Sequence, residues 1–83
     1  MKSIYKKDYQ QLLDMLKSYR LERGVTQEQL ASRLGVNQAI ISKIETHERR
    51  LDVIELREIC VAIGISFSDF IIQLDKNLTV DPK

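Results

Sequence analysis

Apolar residues recur along this chain at the three- and four-residue spacing of amphipathic α-helices. The pattern predicts five helices and no strand, because threonine, valine and isoleucine never form a clean alternating run between turn signals. In helix 1, the residues Leu12, Leu16 and Tyr19 fall on one face and are expected in the core. The chain is therefore predicted to be all-α.

Capping residues and glycines mark the ends of the first two helices. Helix 1 is expected to begin after Asp8 and to end at Gly24. Helix 2 is expected to begin at Thr26, with Gln29 three residues later in a capping-box pattern, and to end at Gly35. Each boundary follows from a residue type that satisfies the unpaired groups at a helix end.

The same signals delimit the other three helices. Helix 3 is predicted to follow the N-cap residue Asn37 and to run to about Thr46. Helix 4 follows Asp52 and stops at Gly64, and helix 5 follows Ser66. The residues expected to face the core in helices 4 and 5 are Leu56, Ile59, Cys60, Ile63, Phe67, Phe70, Ile71 and Leu74.

Residues 27–46 have the pattern of two helices that cross at about a right angle and are joined by a tight turn. Ala31 is small, as it must be where the second helix crosses above the first. Gly35 sits at the turn, where a left-handed backbone is cheap only for glycine. The apolar positions that complete the crossing are Leu30, Leu34, Ile41 and Ile44. The polar residues between them that are placed to reach a DNA groove are Asn37, Gln38, Ser42 and Lys43.

Length and charge restrict the class of protein. The 83 residues are predicted to form a single domain over 1–83, with a core at about 8–75, a short basic N-terminal arm and a C-terminal tail. The net charge of +1 argues against a polycation that coats nucleic acid. It is compatible with a sequence-specific DNA-binding protein, because only the face that contacts DNA must be basic.

Other classes are disfavoured by what the sequence lacks. No apolar run has membrane-spanning length, the N-terminus does not match a secretory signal, and Cys60 is the single thiol. A cytoplasmic protein without membrane contact is expected. One histidine, one cysteine and no glycine-rich phosphate loop provide no catalytic set, so neither an enzyme nor a metal or other cofactor is expected.

Two segments, RLERGVTQEQLASRLGVNQAIISKIE and RRLDVIELREICVAIGISFSDFI, resemble the phage-repressor-like helix-turn-helix family. This family is also called Cro-like or xenobiotic-response-element-like, and the resemblance covers about residues 12–74. It implies a five-helix repressor-like DNA-binding domain with helices 2 and 3 as the helix-turn-helix. It also implies a sequence-specific transcriptional regulator that binds double-stranded DNA as a homodimer on a palindromic operator, with helix 3 in the major groove.

The resemblance also implies roles for individual residues. The positions that match base-reading residues of the family are Gln38, Ala39, Ser42 and Lys43. Lys43 is equally suited to a base or a phosphate, and Ala39 either touches a thymine methyl or only provides spacing. The positions assigned to DNA phosphate are Arg20, Gln27, Asn37, Arg49 and Arg50. Arg20 is also expected to form a partly buried pair with Glu45 at the end of helix 3.

The chain departs from the family pattern in the loop after helix 3. His47 stands where glycine or asparagine is usual, and it is expected to adopt a left-handed conformation. Leu51 stands where proline is usual, which removes a rigid stop between helices 3 and 4. Both changes bear on the phosphate contacts of Arg49 and Arg50, and neither touches the helix-turn-helix itself.

Three apolar residues of helices 4 and 5 have two interpretations. Ile54, Val61 and Ile72 either form an exposed patch for dimerisation or lie buried under the tail, covered by Leu78 and Val80. The patch is the favoured interpretation, because repressor-like domains bind symmetric operators. In an alternative function, an antitoxin-type interaction module would use such a patch to bind a toxin or another protein partner as well as DNA.

Overall fold

Five helices and short connections make up the part of the chain that the computed structural model describes, residues 6–78. They are α1 (Lys6–Glu22), α2 (Gln27–Leu34), α3 (Gln38–Glu45), α4 (Val53–Ile63) and α5 (Phe67–Asn77). The predicted all-α, five-helix fold is confirmed. None of these helices has both the length and the apolar content to cross a membrane. The first residues of the predicted basic arm, and Val80 in the tail, lie outside the described range.

The residues predicted to cap the starts of α2 and α4 do so in the structure. Thr26 and Gln29 form a complete capping box at the start of α2, with hydrogen bonds of 3.0 and 2.9 Å. Asp52 and Glu55 form a second box at the start of α4. Among the described residues, helix α1 is already present at Lys6, earlier than predicted. Asp8 lies within its first turn, where a carboxylate is favoured by the helix dipole without being the N-cap.

The core forms where α2 packs against α3 and α4, while α1 contacts α3, α4 and α5. All four residues predicted to face inward from α4 are buried. At its C-terminal end, α2 is tied to α4 by a hydrogen bond of 2.7 Å from Arg33 to the backbone carbonyl oxygen of Ala62. The buried apolar residues are Leu13, Leu16, Val25, Leu30, Ala31, Ile41, Ile44, Leu56, Ile59, Cys60, Ile63, Phe70 and Leu74.

Two predicted core faces are wrong in part. In α1, Leu13 is buried to 1% exposure, whereas the predicted residues Leu12 and Tyr19 are only half-buried. Leu16 is buried as predicted, and Leu13 and Arg20 complete the buried side of α1 where three other helices pack against it. In α5, Ile71 is exposed because neighbouring helices cover only the side on which Phe70 lies.

The buried Cys60 predicts a pH dependence of stability. Burial raises the pKa of its thiol from 9.0 to about 11. Between these pH values the unfolded chain loses a proton that the folded chain keeps, so the unfolding free energy falls as pH rises. Below about pH 8 both states keep the proton, and the thiol contributes no slope.

We expect the stability difference between the unmodified protein and Cys60→Ala to be constant below about pH 8. It should shrink by up to about 2 kcal/mol between pH 9 and 11. Denaturant unfolding of both proteins across this range measures it, and the titration of lysines and tyrosines cancels in the difference. A difference that stays constant to pH 11 would contradict the raised pKa.

Candidate nucleic-acid interface

The turn between α2 and α3 sets the direction of α3. Gly35 has a φ of 70°, the left-handed conformation predicted for it. The Val36 N–H then donates to the Ala31 carbonyl oxygen at 3.0 Å, which closes the end of α2. Asn37 caps α3, because its side-chain oxygen accepts a hydrogen bond from the Ala39 N–H at 3.2 Å. The cap uses only the Asn37 oxygen, so the side-chain N–H groups remain for the phosphate contact predicted for this residue.

Helix α3 has one buried side and one side open to solvent. Ile41 and Ile44 anchor it in the core, with 2% and 4% of their surface exposed. The four residues predicted to read bases lie away from that side: three are exposed and one is half-buried. These residues are Gln38, Ala39, Lys43 and the half-buried Ser42. They therefore share a surface that the core does not use.

A buried ion pair joins α1 to the end of α3. Arg20 Nε lies 2.7 Å from Glu45 Oε2, and the terminal nitrogen Nη2 lies 3.0 Å from Oε1. Both side chains are nearly buried, with 6% and 9% exposure. The other terminal nitrogen of Arg20 donates to the Val25 carbonyl oxygen at 2.7 Å. The guanidinium is thus held by a bidentate carboxylate contact and by the backbone that leads into α2.

The burial of Arg20 argues against the phosphate contact predicted for it. Only 5% of the residue is exposed, and all three of its nitrogen atoms already donate within the domain. A phosphate would have to displace Glu45 from its cation, and a buried carboxylate left unpaired is costly. We infer that Arg20 acts within the domain, where it holds Glu45 and the backbone at Val25.

Gln27 links this ion pair to the exposed face of α3. Its Nε2 donates to Glu45 Oε1 at 2.9 Å, and its Oε1 accepts a hydrogen bond from Gln38 Nε2 at 3.2 Å. A continuous chain of hydrogen bonds therefore runs from Arg20 through Glu45 and Gln27 to Gln38. Gln27 and Gln38 also line one open depression at the surface.

This chain leaves Gln38 able to bind a further group. One N–H of its Nε2 and the lone pairs of its Oε1 are not used by Gln27. From the sequence, Gln27, Gln38 and Glu45 were expected to have separate roles, and the contacts between them were not predicted. The contact depends on the angle at which α2 and α3 cross, and no local spacing in the sequence reports that angle.

The loop that carries two predicted phosphate contacts is fixed at several points. His47 has a φ of 69°, so its predicted left-handed conformation is confirmed. The Glu48 and Arg49 N–H groups both donate to the Lys43 carbonyl oxygen, at 2.8 and 3.1 Å. These hydrogen bonds hold the loop against the last turn of α3.

The two arginines of this loop have different partners. Arg49 forms an ion pair of 3.0 Å with Glu55, and this hydrogen bond raises the pKa of Arg49 and lowers that of the Glu55 carboxyl. The Asp52 N–H donates to the same carboxylate and also lowers the Glu55 pKa. Arg50 instead lies over the ring of Tyr9, with 4.3 Å from its guanidinium carbon to the ring centroid.

Tyr9 was not predicted from the sequence to belong to this site. Its hydroxyl oxygen accepts a hydrogen bond of 3.1 Å from the Leu51 N–H, which a proline at that position would lack. Tyr9 is on α1, 42 residues away from Leu51. The only signal in the sequence was that a backbone N–H at position 51 needs an acceptor.

The three apolar residues proposed for dimerisation remain exposed. Ile54, Val61 and Ile72 have 64%, 57% and 54% of their surface exposed. The two on α4 are two turns apart, on the side of the helix away from its buried residues. Leu78 packs against the core instead of covering these residues. Within residues 6–78, the structure does not bear out the alternative of burial under the tail.

A tight turn joining two crossed helices, the second with a polar face turned to solvent, defines a helix-turn-helix DNA-binding domain. The model of the helix-turn-helix family matches residues 16–70, and the chain belongs to this family, of the Cro and xenobiotic-response-element type. The protein is an HTH-type transcriptional regulator and not an enzyme. The predicted family is confirmed.

Known proteins resemble this chain over most of its length. An XRE-family-like protein from Pseudomonas syringae pv. tomato is 42% identical with a TM-score of 0.88, and 94% of this chain and 95% of that chain are covered. A point mutant of the restriction–modification controller protein C.Esp1396I is 32% identical with a TM-score of 0.76, with 92% of each chain covered. An uncharacterized HTH-type transcriptional regulator of Sinorhizobium fredii, y4dJ, is 35% identical over 57 residues, 69% of this chain and 74% of that protein.

The ion pair of Arg20 and Glu45 gives a prediction about stability. In a double-mutant cycle with Arg20→Met and Glu45→Gln, we expect a coupling energy of about 1–3 kcal/mol, because removing one partner leaves the other buried and unpaired. Arg57 and Glu58 provide the matched control. Their side chains are 57% and 56% exposed, so their coupling should be at most about 0.5 kcal/mol. Equal coupling in the two cycles would refute a special role for the buried pair.

Proposed function

We propose that this regulator reads a specific operator with α3 in the major groove and acts as a homodimer on a palindromic site. The observation that carries the proposal is the chain of hydrogen bonds that ends at Gln38. A protein that reads chromosomal DNA works in the compartment that holds the chromosome. This location agrees with the cytoplasmic one expected from the sequence.

Gln38 is suited to reading adenine. A glutamine amide can accept from adenine N6 and donate to N7. Both groups needed for this are available, because the hydrogen bond to Gln27 uses only one N–H of Nε2. The same hydrogen bond restrains the amide before DNA arrives, which reduces the entropy lost on binding. Lys43, Ser42 and Ala39 on the same surface are the further base-reading candidates.

Phosphate contacts would flank this surface. The Gln27 N–H is in the first turn of α2, where backbone N–H groups have no partner within the helix and favour an anion. Asn37 is placed similarly at the start of α3. Of the two loop arginines, Arg50 is the better candidate. The negative charge of Glu55 beside Arg49 weakens the attraction of Arg49 to a phosphate.

A dimer would supply what one recognition helix lacks. One helix reads only a few base pairs, and a two-fold dimer places two such helices roughly 34 Å apart on one face of the duplex. Ile54, Val61 and Ile72 offer apolar surface that a monomer leaves in water. We propose the outer faces of α4 and α5 as the dimer interface.

The role of Gln38 is tested by substitution. On the best site selected from a random DNA pool, Gln38→Ala should cost about 1–3 kcal/mol and relax the preference at one base pair per half-site. Gln10→Ala, which removes a glutamine from α1, is the control and should leave affinity unchanged. Repeating the selection with each variant measures the preference. Equal weakening on all sequences would exclude Gln38 as a base reader.

The proposed dimer is tested by sedimentation at micromolar concentration. The unmodified protein should be dimeric. The variants Val61→Glu and Ile72→Glu should be folded monomers, because either substitution places a charge in the proposed interface. Both variants should bind the operator more weakly. Ser18→Glu adds the same charge to an exposed position of α1 and should remain dimeric. If the unmodified protein is a monomer that binds a single half-site tightly, the homodimer proposal is wrong.

A further inference from the structure

Tyr9 makes two contacts with the loop that follows the recognition helix, and the DNA-binding surface described so far does not include it. Its hydroxyl oxygen accepts the Leu51 N–H at 3.1 Å. Its ring lies beneath the Arg50 guanidinium, 4.3 Å from guanidinium carbon to ring centroid. The residue is half-buried in α1, a helix that the core holds through Leu13 and Leu16. A rigid helix therefore contacts two consecutive residues of the loop.

The hydroxyl contact fixes the backbone where the loop enters α4. Leu51 is half-buried, so its N–H is partly shielded from water and an acceptor within the protein is valuable. The next N–H, that of Asp52, donates to Glu55 in the capping box. The backbone on the C-terminal side of Arg50 is thus held by α1 and by α4 at neighbouring residues.

The ring contact holds the side chain and leaves its hydrogen-bonding edge open. A cation over an aromatic ring is held by the charge distribution of the ring and uses no carboxylate partner. Among residues 6–78, no side chain accepts a hydrogen bond from the Arg50 guanidinium. A phosphate could therefore accept hydrogen bonds from Arg50 while the guanidinium remains over the ring.

The neighbouring arginine shows why this arrangement matters. Arg49 is held by a carboxylate, which offsets its charge and accepts hydrogen bonds from both of its terminal nitrogens. A tyrosine ring is neutral and restrains Arg50 without offsetting its charge. The loop thus contains one arginine paired for structure and one that is oriented with its charge available.

We propose that Tyr9 is a positioning residue for DNA binding, which orients Arg50 for a backbone phosphate through its ring and fixes the loop through its hydroxyl. The inference rests on the phosphate contact proposed for Arg50. It adds a residue of α1 to the determinants of affinity, although Tyr9 itself does not touch DNA.

The hydroxyl contact is tested without DNA. Tyr9→Phe removes the acceptor of the Leu51 N–H and keeps the ring, so amide hydrogen exchange at Leu51 should become roughly two- to tenfold faster. Tyr19→Phe is the matched control on the same helix, since the Tyr19 ring packs edge-on against Phe70 instead of contacting the loop. Exchange at Leu51 should not change in that variant. Unchanged exchange in Tyr9→Phe would overturn the hydroxyl half of the proposal.

The ring contact is tested by affinity for a labelled duplex of random sequence. Tyr9→Leu should weaken binding about two- to tenfold, because Arg50 must then be ordered on binding. Tyr9→Phe, which keeps the ring, should retain most of the affinity. In a protein that also carries Arg50→Ala, the change Tyr9→Leu should have no further effect. Circular dichroism checks that each variant is folded.

The outcomes separate this inference from the proposed function. Arg50→Ala alone should lower the salt dependence of binding by about one counterion. An unchanged salt dependence would refute the phosphate contact and, with it, the role of Tyr9. A reduced salt dependence, with equal losses from Tyr9→Leu whether or not Arg50 is present, would refute only the positioning role.

Discussion

The carboxylate of Glu45 is the group on which the arrangement of this domain depends. It lies at the end of α3 with little solvent, so its charge must be met by partners within the protein. Arg20 reaches it from α1 and Gln27 reaches it from the start of α2, so one carboxylate joins three helices. The cost of desolvating such a pair offsets much of its attraction, and its net contribution to stability is modest. We infer that its main effect is to exclude orientations of α3 in which Glu45 would be unpaired.

Two sets of contacts position the recognition surface. The ion pair of Arg20 and Glu45 lies behind α3, and further contacts hold the loop that follows α3. Ile41 and Ile44 anchor α3 in the apolar core, so the polar residues on its other side are not needed for that packing and are available for DNA. The loop after α3 lacks the proline that would stiffen it, and contacts with Tyr9 and Glu55 restrain it instead. The chain has a net charge of only +1, so attraction to DNA depends on the positions of its basic side chains and not on the total charge. That makes the orientation of single arginines more consequential than their number.

Local signals predicted the helix boundaries well, because each depends on a residue and its near neighbours. The capping boxes at Thr26 and Asp52, and the left-handed conformations at Gly35 and His47, all follow from residue type at a helix end. On α1, Leu16 was predicted correctly, but Leu12 was chosen in place of Leu13, since both are apolar and periodicity alone could not choose between them. The start of α1 was missed because a carboxylate in a first turn resembles a cap.

The sequence by itself determined the all-α class and the helix-turn-helix, because these follow from helical periodicity and glycine positions. The family and the residues assigned to the outer face of α3 came from the resemblance of two segments to that family. Only the tertiary structure decided that Arg20 is buried, that Gln27 bridges Glu45 to Gln38 and that Tyr9 holds the loop. It also decided that Ile54, Val61 and Ile72 stay exposed. These facts depend on how helices far apart in the chain meet. Whether two side chains touch is set by the distance and angle between helix axes. The spacing of residues within one helix carries no information about either quantity.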